Sequence, residues 1–292
     1  MKVPKITVVG SINMDMVIQT DRAPEQGETV LGRGFQMIPG GKGANQAVAA
    51  ARLGADVTMI GAVGDDPFAD VLLSHLRKEG LRVDDVEPVT GCATGVASIV
   101  LSEGDNRIIV APGANAELSK AQIDRVKPTL QDSDLVVMQL EIPLEIVECV
   151  TGYCSEHGVP VLLNPAPAMA LSEKLLGQIS YLTPNESEEQ ALRPYATLSD
   201  EQWIVTMGSR GVRFMENGEE RTVGGYATEV VDTTGAGDTF NGALATELAK
   251  GSPLKEAIEF ANAAAALSIT RLGAQTGMPK AEDVHAFMKK MR

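Results

Sequence analysis

The sequence predicts a three-layer α/β/α, Rossmann-like body with a mainly parallel central sheet and a small β-sheet lid. Short apolar runs rich in Val and Ile alternate with Ala- and Leu-rich runs along most of the chain. This alternation is typical of a parallel sheet covered by helices on both faces. Two stretches, residues 16–41 and 82–115, break the alternation because they are rich in Val, Ile, Thr and Gly. We expect them to form antiparallel strands of a lid over a cleft.

The first half of the chain predicts strand, helix, strand and helix, in that order, over residues 5–12, 43–55, 56–64 and 66–80. Gly54 is a stop signal for the first helix. The second helix has an aspartate N-cap at Asp66, Pro67 in its first turn and a stop at Gly80. These signals place the helix boundaries without reference to tertiary packing.

The rest of the chain continues the pattern. A helix capped by Ser119, a strand, a helix and a strand are predicted over 118–130, 135–140, 143–158 and 159–165. A short acidic helix, a strand and a hairpin with an Asn-Gly turn follow over 183–190, 203–211 and 212–224. The remainder is predicted to be helical, over 235–251, 253–273 and 281–292.

The chain shows no internal repeat, low-complexity tract or linker. Residues 1–292 are therefore predicted to form one domain, with the lid segments 16–41 and 82–115 inserted into it.

The composition excludes several classes of function. Lys and Arg number 25 against 39 Asp and Glu, a net charge of −14, which argues against nucleic acid or an anionic membrane as a partner. No apolar run reaches the ~18 residues of a membrane span. The start of the chain has no signal-peptide pattern, and its three cysteines form no disulfide or zinc spacing. We expect a cytoplasmic protein with small, buried, reduced cysteines.

Two common phosphate-binding motifs are absent. In "GGKGAN" Gly43 follows Lys42, and Gln36 occupies the first glycine position of a P-loop. The dinucleotide pattern Gly-x-Gly-x-x-Gly is also missing. The glycines of this chain therefore need another explanation.

The stretch "GAGDTF" offers one. Gly235, Ala236 and Gly237 precede or open a predicted helix, where unpaired backbone N–H groups and the helix dipole favour an anion. Asp238 follows in the first turn. Its carboxylate either only stabilises the helix by interacting with the helix dipole, an interaction worth ~0.3–1 kcal/mol, or acts as a general base beside the anion hole. The residues alone leave both interpretations open.

Three further stretches end strands or begin helices where open α/β folds bind ligands. Asn13 and Asp15 in "NMD" share one side of an extended segment and suit vicinal hydroxyls, although turns also use these residues. "PGGKGANQA" brings glycines, a lysine and Asn45 to a helix start, and "MQLEIP" ends a strand with Glu141. Each signal alone is weak.

Together these segments resemble a known family. The segments, in chain order, are "GSINMD", "GGKGANQAVAAARLGA", "MQLE", "LNPAPA", "TPNESE", "TMGSRG" and "DTTGAGDTFNGAL". Over essentially the whole chain they resemble the ribokinase branch of the phosphofructokinase-B sugar-kinase family, and "GGKGANQA" with "DTTGAGDTF" is a specific combination. The resemblance implies an ATP-dependent kinase that converts D-ribose to D-ribose 5-phosphate and ADP.

The resemblance also implies residue roles. The sugar would be held by Asn13, Met14, Asp15, Gly41, Lys42, Gly43, Ala44, Asn45, Glu141 and Asp238. Asp238 would be the base for the 5-hydroxyl, and Gly235, Ala236 and Gly237 the anion hole for the transferring phosphoryl group. ATP would contact Asn185, Thr206, Met207, Gly208, Ser209, Arg210, Gly211, Gly237, Asp238 and Asn262.

Two metal ions are implied as well. Glu188, in an Asn-x-x-Glu pattern that starts at Asn185, would organise Mg²⁺ through water. Potassium would brace the anion-hole loop through oxygens of Asp232, Thr234, Ser268, Arg271, Gly273 and Gly277. Without the resemblance, a solvated acidic face would be the favoured interpretation of Glu186 and Glu188.

One departure from the family concerns the nucleotide side. Only 20 residues separate Asn185 from Thr206, where ribokinases generally carry one more helix and its turn. The nearest alternative to a ribokinase is a kinase of 2-deoxyribose or another small sugar. The short segment also makes conceivable a catalytically weak sugar- or nucleotide-sensing protein. An open lid edge also invites association, so a homodimer through the lid is expected.

Overall fold

The computed structural model describes residues 2–102, 105–193 and 199–291. The strands of this part of the chain are β1 (Lys5–Val9), β2 (Asn13–Gln19), β3 (Gly34–Gly40), β4 (Asp56–Val63), β5 (Val86–Pro88), β6 (Gly95–Ser102), β7 (Asp105–Ala111), β8 (Leu135–Met138), β9 (Val161–Leu163), β10 (Tyr181–Leu182), β11 (Ile204–Thr206), β12 (Val212–Glu216) and β13 (Glu219–Val223). Its α-helices are α1 (Lys42–Arg52), α2 (Pro67–Lys78), α3 (Lys120–Gln131), α4 (Leu144–Glu156), α5 (Glu173–Leu176), α6 (Glu186–Leu192), α7 (Ala236–Ala249), α8 (Leu254–Ser268), α9 (Ala274–Gly277) and α10 (Ala281–Met291).

The central sheet is mainly parallel. Six parallel strands lie in the order β10-β9-β8-β1-β4-β5. Parallel bridges from Leu182 to Trp203 and from Asn185 to Thr206 join β11 to this sheet, and β12 and β13 continue it as antiparallel strands. This arrangement confirms the predicted fold class.

Successive residues of the central strands face opposite sides of the sheet and enter two separate cores. Ile6 and Val8 pack with α1, α2, α7, α8 and α10, whereas Val9 packs with α3, α4 and α5 on the other face. Burial on both faces explains why these strands appear in the sequence as continuous apolar runs.

The lid is a four-stranded sheet in the order β3-β2-β6-β7. Its middle pair, β2 and β6, is parallel, and its two outer pairs are antiparallel. Residues 82–115 do not all enter it, because β5 lies inside this range and pairs with β4 of the central sheet. The predicted strand over 5–12 also ends early, at Val9, and Asn13 already begins the lid.

Local signals set the helix ends and the hairpin as predicted. The Asp66 side chain accepts hydrogen bonds from the amides of Phe68 and Ala69, and Ser119 accepts one from Gln122. The turn of the β12–β13 hairpin is made by Asn217 and Gly218, with φ angles of 55° and 76°. These positive angles are those of the turn that Asn-Gly favours.

The chain passes from β1 into the lid at Gly10 to Ile12 and returns from the lid into α1 at Gly41. Gly41 has a φ of +91°, and a Cβ there would lie 2.8 Å from the Asn13 amide nitrogen. Only glycine allows the two crossings to touch in this way. Among the helices of the described ranges, none is long and apolar enough to cross a bilayer.

Candidate active site

Asp238 lies in the first turn of α7, facing the start of α1. Its two carboxylate oxygens accept different side-chain hydrogen bonds: Asn45 Nδ2 donates to Oδ2 at 2.9 Å, and Gln46 Nε2 donates to Oδ1 at 3.1 Å. The carboxylate is therefore held in a fixed plane by two neutral donors, with lone pairs remaining for a substrate hydroxyl. This geometry favours the interpretation of Asp238 as a base.

The chain makes a sharp turn just before Asp238. Gly235 has a φ of +76° as the N-cap of α7, and the Ala236 amide donates to the Thr233 carbonyl at 3.2 Å. The amides of Gly235 and Gly237 have no hydrogen-bond partner within the described ranges. These two N–H groups at a helix N-terminus are suited to an anion.

Of the three expected sugar-binding residues of β2, Asn13 and Asp15 lie on one face of the lid strand and Met14 lies on the other. Asn13 is buried, and its Oδ1 accepts a hydrogen bond from Asn115 Nδ2 at 2.7 Å, so its own amide N–H groups stay available to a ligand. Asp15 projects over Gly40, where a Cβ would lie 2.2 Å from Asp15 Oδ2. A side chain at position 40 would thus displace the carboxylate. Met14, between them, is buried in the main core.

Glu141 follows β8 and reaches the start of α1. Its Oε2 accepts hydrogen bonds from Ser11 Oγ at 2.6 Å and from the Lys42 amide at 3.3 Å. The Lys42 ammonium lies 4.0 Å from Glu141 Oε1. Gly43 and Ala44 are buried in the first turn of α1, where their amides donate to Ser11 Oγ at 3.3 Å and to the Ser11 carbonyl at 2.9 Å.

The electrostatics of this cluster is dominated by carboxylates. Burial, aided by the negative charges of Glu141 and Asp238, raises the pKa of Asp15 to about 7, against the opposing effect of Lys42. Burial acts to lower the pKa of Lys42, but Asp238, Glu141 and other nearby carboxylates outweigh it, so this pKa lies above its ordinary value. Lys42 thus stays charged and is the cation shared by the cluster.

Several buried amides behind the site were not predicted from the sequence. Gln46 is fully buried; besides Asp238 it donates to Asn164 Oδ1 at 3.1 Å, and its Oε1 accepts from Gln139 Nε2 at 2.7 Å. Asn115 holds the crossing from β1 to β2 through the amide and carbonyl of Ile12, at 2.9 and 3.2 Å. Gln46 and Ser11 stand inside the motifs "GGKGANQA" and "GSINMD", so a signal for them existed.

The expected ATP residues gather along β11 and α6. Asn185 caps α6 and forms a reciprocal capping box with Glu188, and the Thr206 amide donates to the Pro184 carbonyl at 2.9 Å. Met207 and Gly211 bracket a 3₁₀ turn formed by Gly208, Ser209 and Arg210. Arg210 is ion-paired to Glu186.

Asn262, expected at ATP, and Glu188, expected near Mg²⁺, each use one polar group in a hydrogen bond within the protein. Asn262 Nδ2 donates to the Gly224 carbonyl at 2.7 Å. Glu188 Oε2 accepts the Asn185 amide at 2.8 Å. Burial raises the pKa of Glu188 above its ordinary value, with the Asn185 amide and Lys42 acting the other way. The charge of Glu188 is also one of those that raise the pKa of Lys42.

The segment between Asn185 and Thr206 is short in the structure as well. It holds α6 and a 3₁₀ turn over Asp200–Gln202. Residues 194–198, on which the expectation of a missing helix partly falls, lie outside the described residues.

The expected potassium residues bring the loop before α7 and the segment around α9 together. Asp232 accepts hydrogen bonds from the Thr234 amide at 2.9 Å and the Gly273 amide at 2.8 Å. Burial opposes ionisation of Asp232, but these hydrogen bonds outweigh it and keep its pKa below the ordinary value. A Cβ at Gly277 would lie 2.1 Å from the Ser268 carbonyl oxygen, so the two chain segments touch there. Arg271 lies in the exposed turn between them.

This site geometry coincides with a family relationship over nearly the whole chain. The pattern of the pfkB family of carbohydrate kinases matches residues 3–281. The chain belongs to the pfkB carbohydrate kinase family. Its ribokinase-branch resemblance is supported by curated relatives named Ribokinase: that of Bacillus subtilis is 46% identical, covering 97% of this chain and 99% of the relative, and that of Lactococcus lactis is 42% identical, covering 98% of each.

The structures of pfkB kinases agree with this placement. The structure of Arabidopsis thaliana ribokinase complexed with ribose and ATP superposes with a TM-score of 0.88 at 32% identity and covers 99% of both chains. That of Thermotoga maritima ribokinase superposes with a TM-score of 0.87 at 39% identity and covers 97% of this chain and 99% of that one. A Salmonella typhi relative named Deoxyribokinase is 36% identical over 97% of this chain. The two bacterial relatives named Ribokinase are thus more similar to this chain in sequence than the relative named Deoxyribokinase.

Proposed function

We propose that this pfkB kinase transfers the γ-phosphoryl group of ATP to the 5-hydroxyl of D-ribose, giving D-ribose 5-phosphate and ADP. The observation that carries the proposal is the position of Asp238. Its carboxylate lies beside the unpartnered amides of Gly235 and Gly237 and is held by Asn45 and Gln46. Ribokinases from two bacteria are similar to this chain in sequence over nearly its whole length. A ribokinase structure complexed with ribose and ATP is similar to it in fold over nearly its whole length.

The sugar is assigned to the cluster between the lid and α1. Asn13 donates with its free amide hydrogens, while Asp15 and Glu141 accept from hydroxyl groups. Lys42 offsets their charge. An Asn/Asp pair two residues apart suits a pair of vicinal hydroxyls, which ribose has at carbons 2 and 3 and 2-deoxyribose lacks. This pair supports ribose as the preferred substrate, with 2-deoxyribose the second candidate.

The chemistry follows from the same geometry. Asp238 accepts the proton of the 5-hydroxyl as its oxygen attacks the γ-phosphorus and the bond to ADP breaks. The N–H groups at the start of α7 stabilise charge that develops on the transferring group. The lid limits access of water, which would otherwise compete as the acceptor.

Two metal ions belong to the proposal. Mg²⁺ would arrive with ATP and neutralise phosphate charge, with Glu188 on the nucleotide side to orient its water. K⁺ would bind oxygens of Asp232, Thr234, Ser268, Arg271, Gly273 and Gly277. The lowered pKa of Asp232, which favours its charged form, and the close approach of the Ser268 carbonyl oxygen to Gly277 fit a hard monovalent cation. Replacing K⁺ with Na⁺ should lower kcat; equal activity in the two salts would remove the cation site from the proposal.

The direct test is an ADP-release assay over ribose, 2-deoxyribose, fructose and adenosine. Ribose should give the highest kcat/KM. An activity confined to 2-deoxyribose would select the second candidate, and saturable ribose binding without turnover would favour a sensing protein. Asp238→Asn keeps the shape and should lower kcat by about 10²–10⁴, the usual contribution of a positioned base, while ribose binding measured by calorimetry survives. Near-normal turnover would take Asp238 out of this role.

We also propose that the protein is a homodimer through the lid. The register of the lid strands places Met37 opposite Met16 and Phe35 opposite Ile18, on the face of the lid that points away from Asp15. Ile109 joins the same face across Ser98. Phe35, Met37 and Ile109 are 57%, 55% and 75% exposed. The lid of a second copy has the same apolar, twisted sheet face and could cover this one, so that both faces are buried in the dimer.

A further inference from the structure

A line of hydrogen bonds runs from the half-buried His75 to the catalytic carboxylate. His75 Nε2 lies 2.6 Å from Gln275 Oε1, and Gln275 Nε2 donates to Asn45 Oδ1 at 2.9 Å. Asn45 Nδ2 in turn donates to Asp238 Oδ2 at 2.9 Å. Three helices and the short α9 supply these four residues. His75 and Gln275 belong to none of the roles assigned above.

The carboxylate at one end sets the direction of the whole line. A carboxylate can only accept hydrogen bonds, so Asn45 must present its NH₂ group to Asp238 and its oxygen to Gln275. Gln275 must then present its own NH₂ group to Asn45 and its oxygen to His75, so His75 Nε2 carries a hydrogen. A carboxamide turned over at any point would face oxygen with oxygen or nitrogen with nitrogen.

Asn45 depends on this arrangement because it is almost fully buried. It is 6% exposed, and Gln275 is 4% exposed. Without the Gln275 donor, the Asn45 oxygen would be buried with no partner, which favours another rotamer. The restraint from Asp238 also weakens when that carboxylate takes the substrate proton, whereas the bond from Gln275 does not involve the base.

The backbone that carries Gln275 is fixed by the helix that carries Asn45. Arg52 lies two turns after Asn45 in α1. Its guanidinium donates to the carbonyl of Gln275 and, at 3.1 Å, to that of Met278. Glu79 holds the guanidinium from the other side at 2.8 Å. The position of Gln275 relative to Asn45 is therefore specified by both the main chain and the side chain.

We propose that Gln275 is a positioning residue of this kinase, which orients the Asn45 carboxamide toward the sugar and Asp238, with His75 as the donor that orients Gln275. The inference rests on the proposed ribose kinase function. It gives Asn45 one orientation, in which one N–H is committed to Asp238 and the second is presented to a sugar hydroxyl.

The test compares two substitutions of Gln275 with a matched control. Gln275→Met keeps the length but removes both polar atoms, and it should raise the ribose KM and calorimetric Kd about tenfold, the effect of one unsatisfied buried acceptor. Gln275→Glu presents oxygen to the Asn45 oxygen and should turn Asn45 over, so kcat should fall further than in the methionine variant. The KM for ATP should change less than about twofold in both variants, because the lost contact lies on the sugar side of the site and not on the nucleotide side.

Gln122→Met is the control. Gln122 is 3% exposed and donates to the Gly61 carbonyl at 2.9 Å, under the far side of the sheet. Its loss should lower the melting temperature as Gln275→Met does, without raising the ribose Kd. Equal effects of the two substitutions on ribose binding would overturn the proposal, because they would reflect general destabilisation.

His75 keeps the proposal testable if the Gln275 variants do not fold. His75→Leu should raise the ribose Kd about threefold, a fraction of one hydrogen bond, and His75→Gln, whose Nε2 can replace that of histidine, should restore it. An unchanged ribose Kd in His75→Leu would contradict the positioning role of Gln275. A loss of activity in Gln275→Met that extra K⁺ restores, with the ribose Kd unchanged, would also contradict it. Absence of ribose phosphorylation by the wild-type protein would instead reject the proposed function.

Discussion

At the scale of single residues, Asp15 is where ligand binding and stability conflict. Its pKa of about 7 means that the folded protein holds a proton there more tightly than the unfolded chain, whose aspartates titrate near 3.8. Above pH 7 the Asp15 carboxylate is charged in both the folded and the unfolded state, but only the folded state carries the free-energy cost of burying that charge. Stability from this group therefore rises as the pH falls from 7 toward 4.

Asp15→Asn is predicted to stabilise the protein at pH 8 by about 0.5–2 kcal/mol, and to lose this advantage near pH 5, where wild-type Asp15 is already protonated. Ribose affinity should fall sharply in the variant. In the wild-type protein the ribose Kd should rise below pH 7, by up to about tenfold per pH unit, because the acceptor is lost. Denaturant unfolding and calorimetry at both pH values measure this, with Asp70→Asn on the exposed face of α2 as the control. A variant less stable than wild type at pH 8 would contradict the prediction.

The residues found from the sequence and those missed differ in a physical way. Asp238 and Lys42 are charged groups beside glycines at helix starts, and Glu141 is a charged group after a buried strand; such positions have few structural uses for a charge. Gln46 and Gln275 are neutral amides in apolar helices, and such residues have value only through partners that the fold brings together. Gln275 lies 230 positions from Asn45 along the chain, so no local pattern could identify the pair.

At the scale of elements, the start of α7 depends on a close contact with α9. A Cβ on Gly235 would lie 2.7 Å from the Ala274 Cβ, at a φ of +76°. Gly251, after the C-terminal end of α7, has a similar φ of +83° but no atom within 4 Å of its Cβ position. The two glycines share the backbone strain and differ in the contact.

Gly251→Ala should therefore cost about 1–2 kcal/mol from the left-handed backbone alone and leave kcat unchanged. Gly235→Ala should cost about 1–3 kcal/mol more for the overlap with Ala274 and lower kcat at least about tenfold, because the anion-hole amides move. The free energy of unfolding and the kcat of both variants are the measurements that test this difference. Equal kcat in the two variants would show that the α7–α9 contact does not position the amides.

Element boundaries show where sequence patterns stop being informative. The long buried strands and capped helices follow from periodicity and from Asp66, Ser119 and the Asn-Gly turn, because these signals act within a few residues. β5 has three residues and no alternation, so its place beside β4 depends on tertiary packing. The lid prediction for 82–115 was wrong for that strand and right for β6 and β7.

At the scale of the whole molecule, the site is assembled from both ends of the chain. The lid and α1 supply the proposed sugar-binding groups, and α7 and α9 supply the proposed base, the proposed anion-hole amides and Gln275. The lid strands have one face toward this site and the other toward solvent. Association of two lids would thus stabilise strands that carry Asn13 and Asp15, and would connect the oligomeric state with ribose affinity.

Ile109→Asp is predicted to separate the dimer because it places a charge in the middle of the apolar lid face, where Ile109 is 75% exposed in the single chain. Sedimentation should give twice the chain mass of 30.8 kDa for the wild type and the single mass for the variant. Val3→Asp is the control, since Val3 is 58% exposed and precedes β1, at the end of that strand opposite to the one that leads into the lid, and this substitution should leave the dimer intact. The ribose KM should rise in the Ile109 variant and stay constant in the Val3 variant. A wild-type protein that sediments as a monomer at micromolar concentration would reject the lid interface, and a dimer equally resistant to both substitutions would place the interface elsewhere.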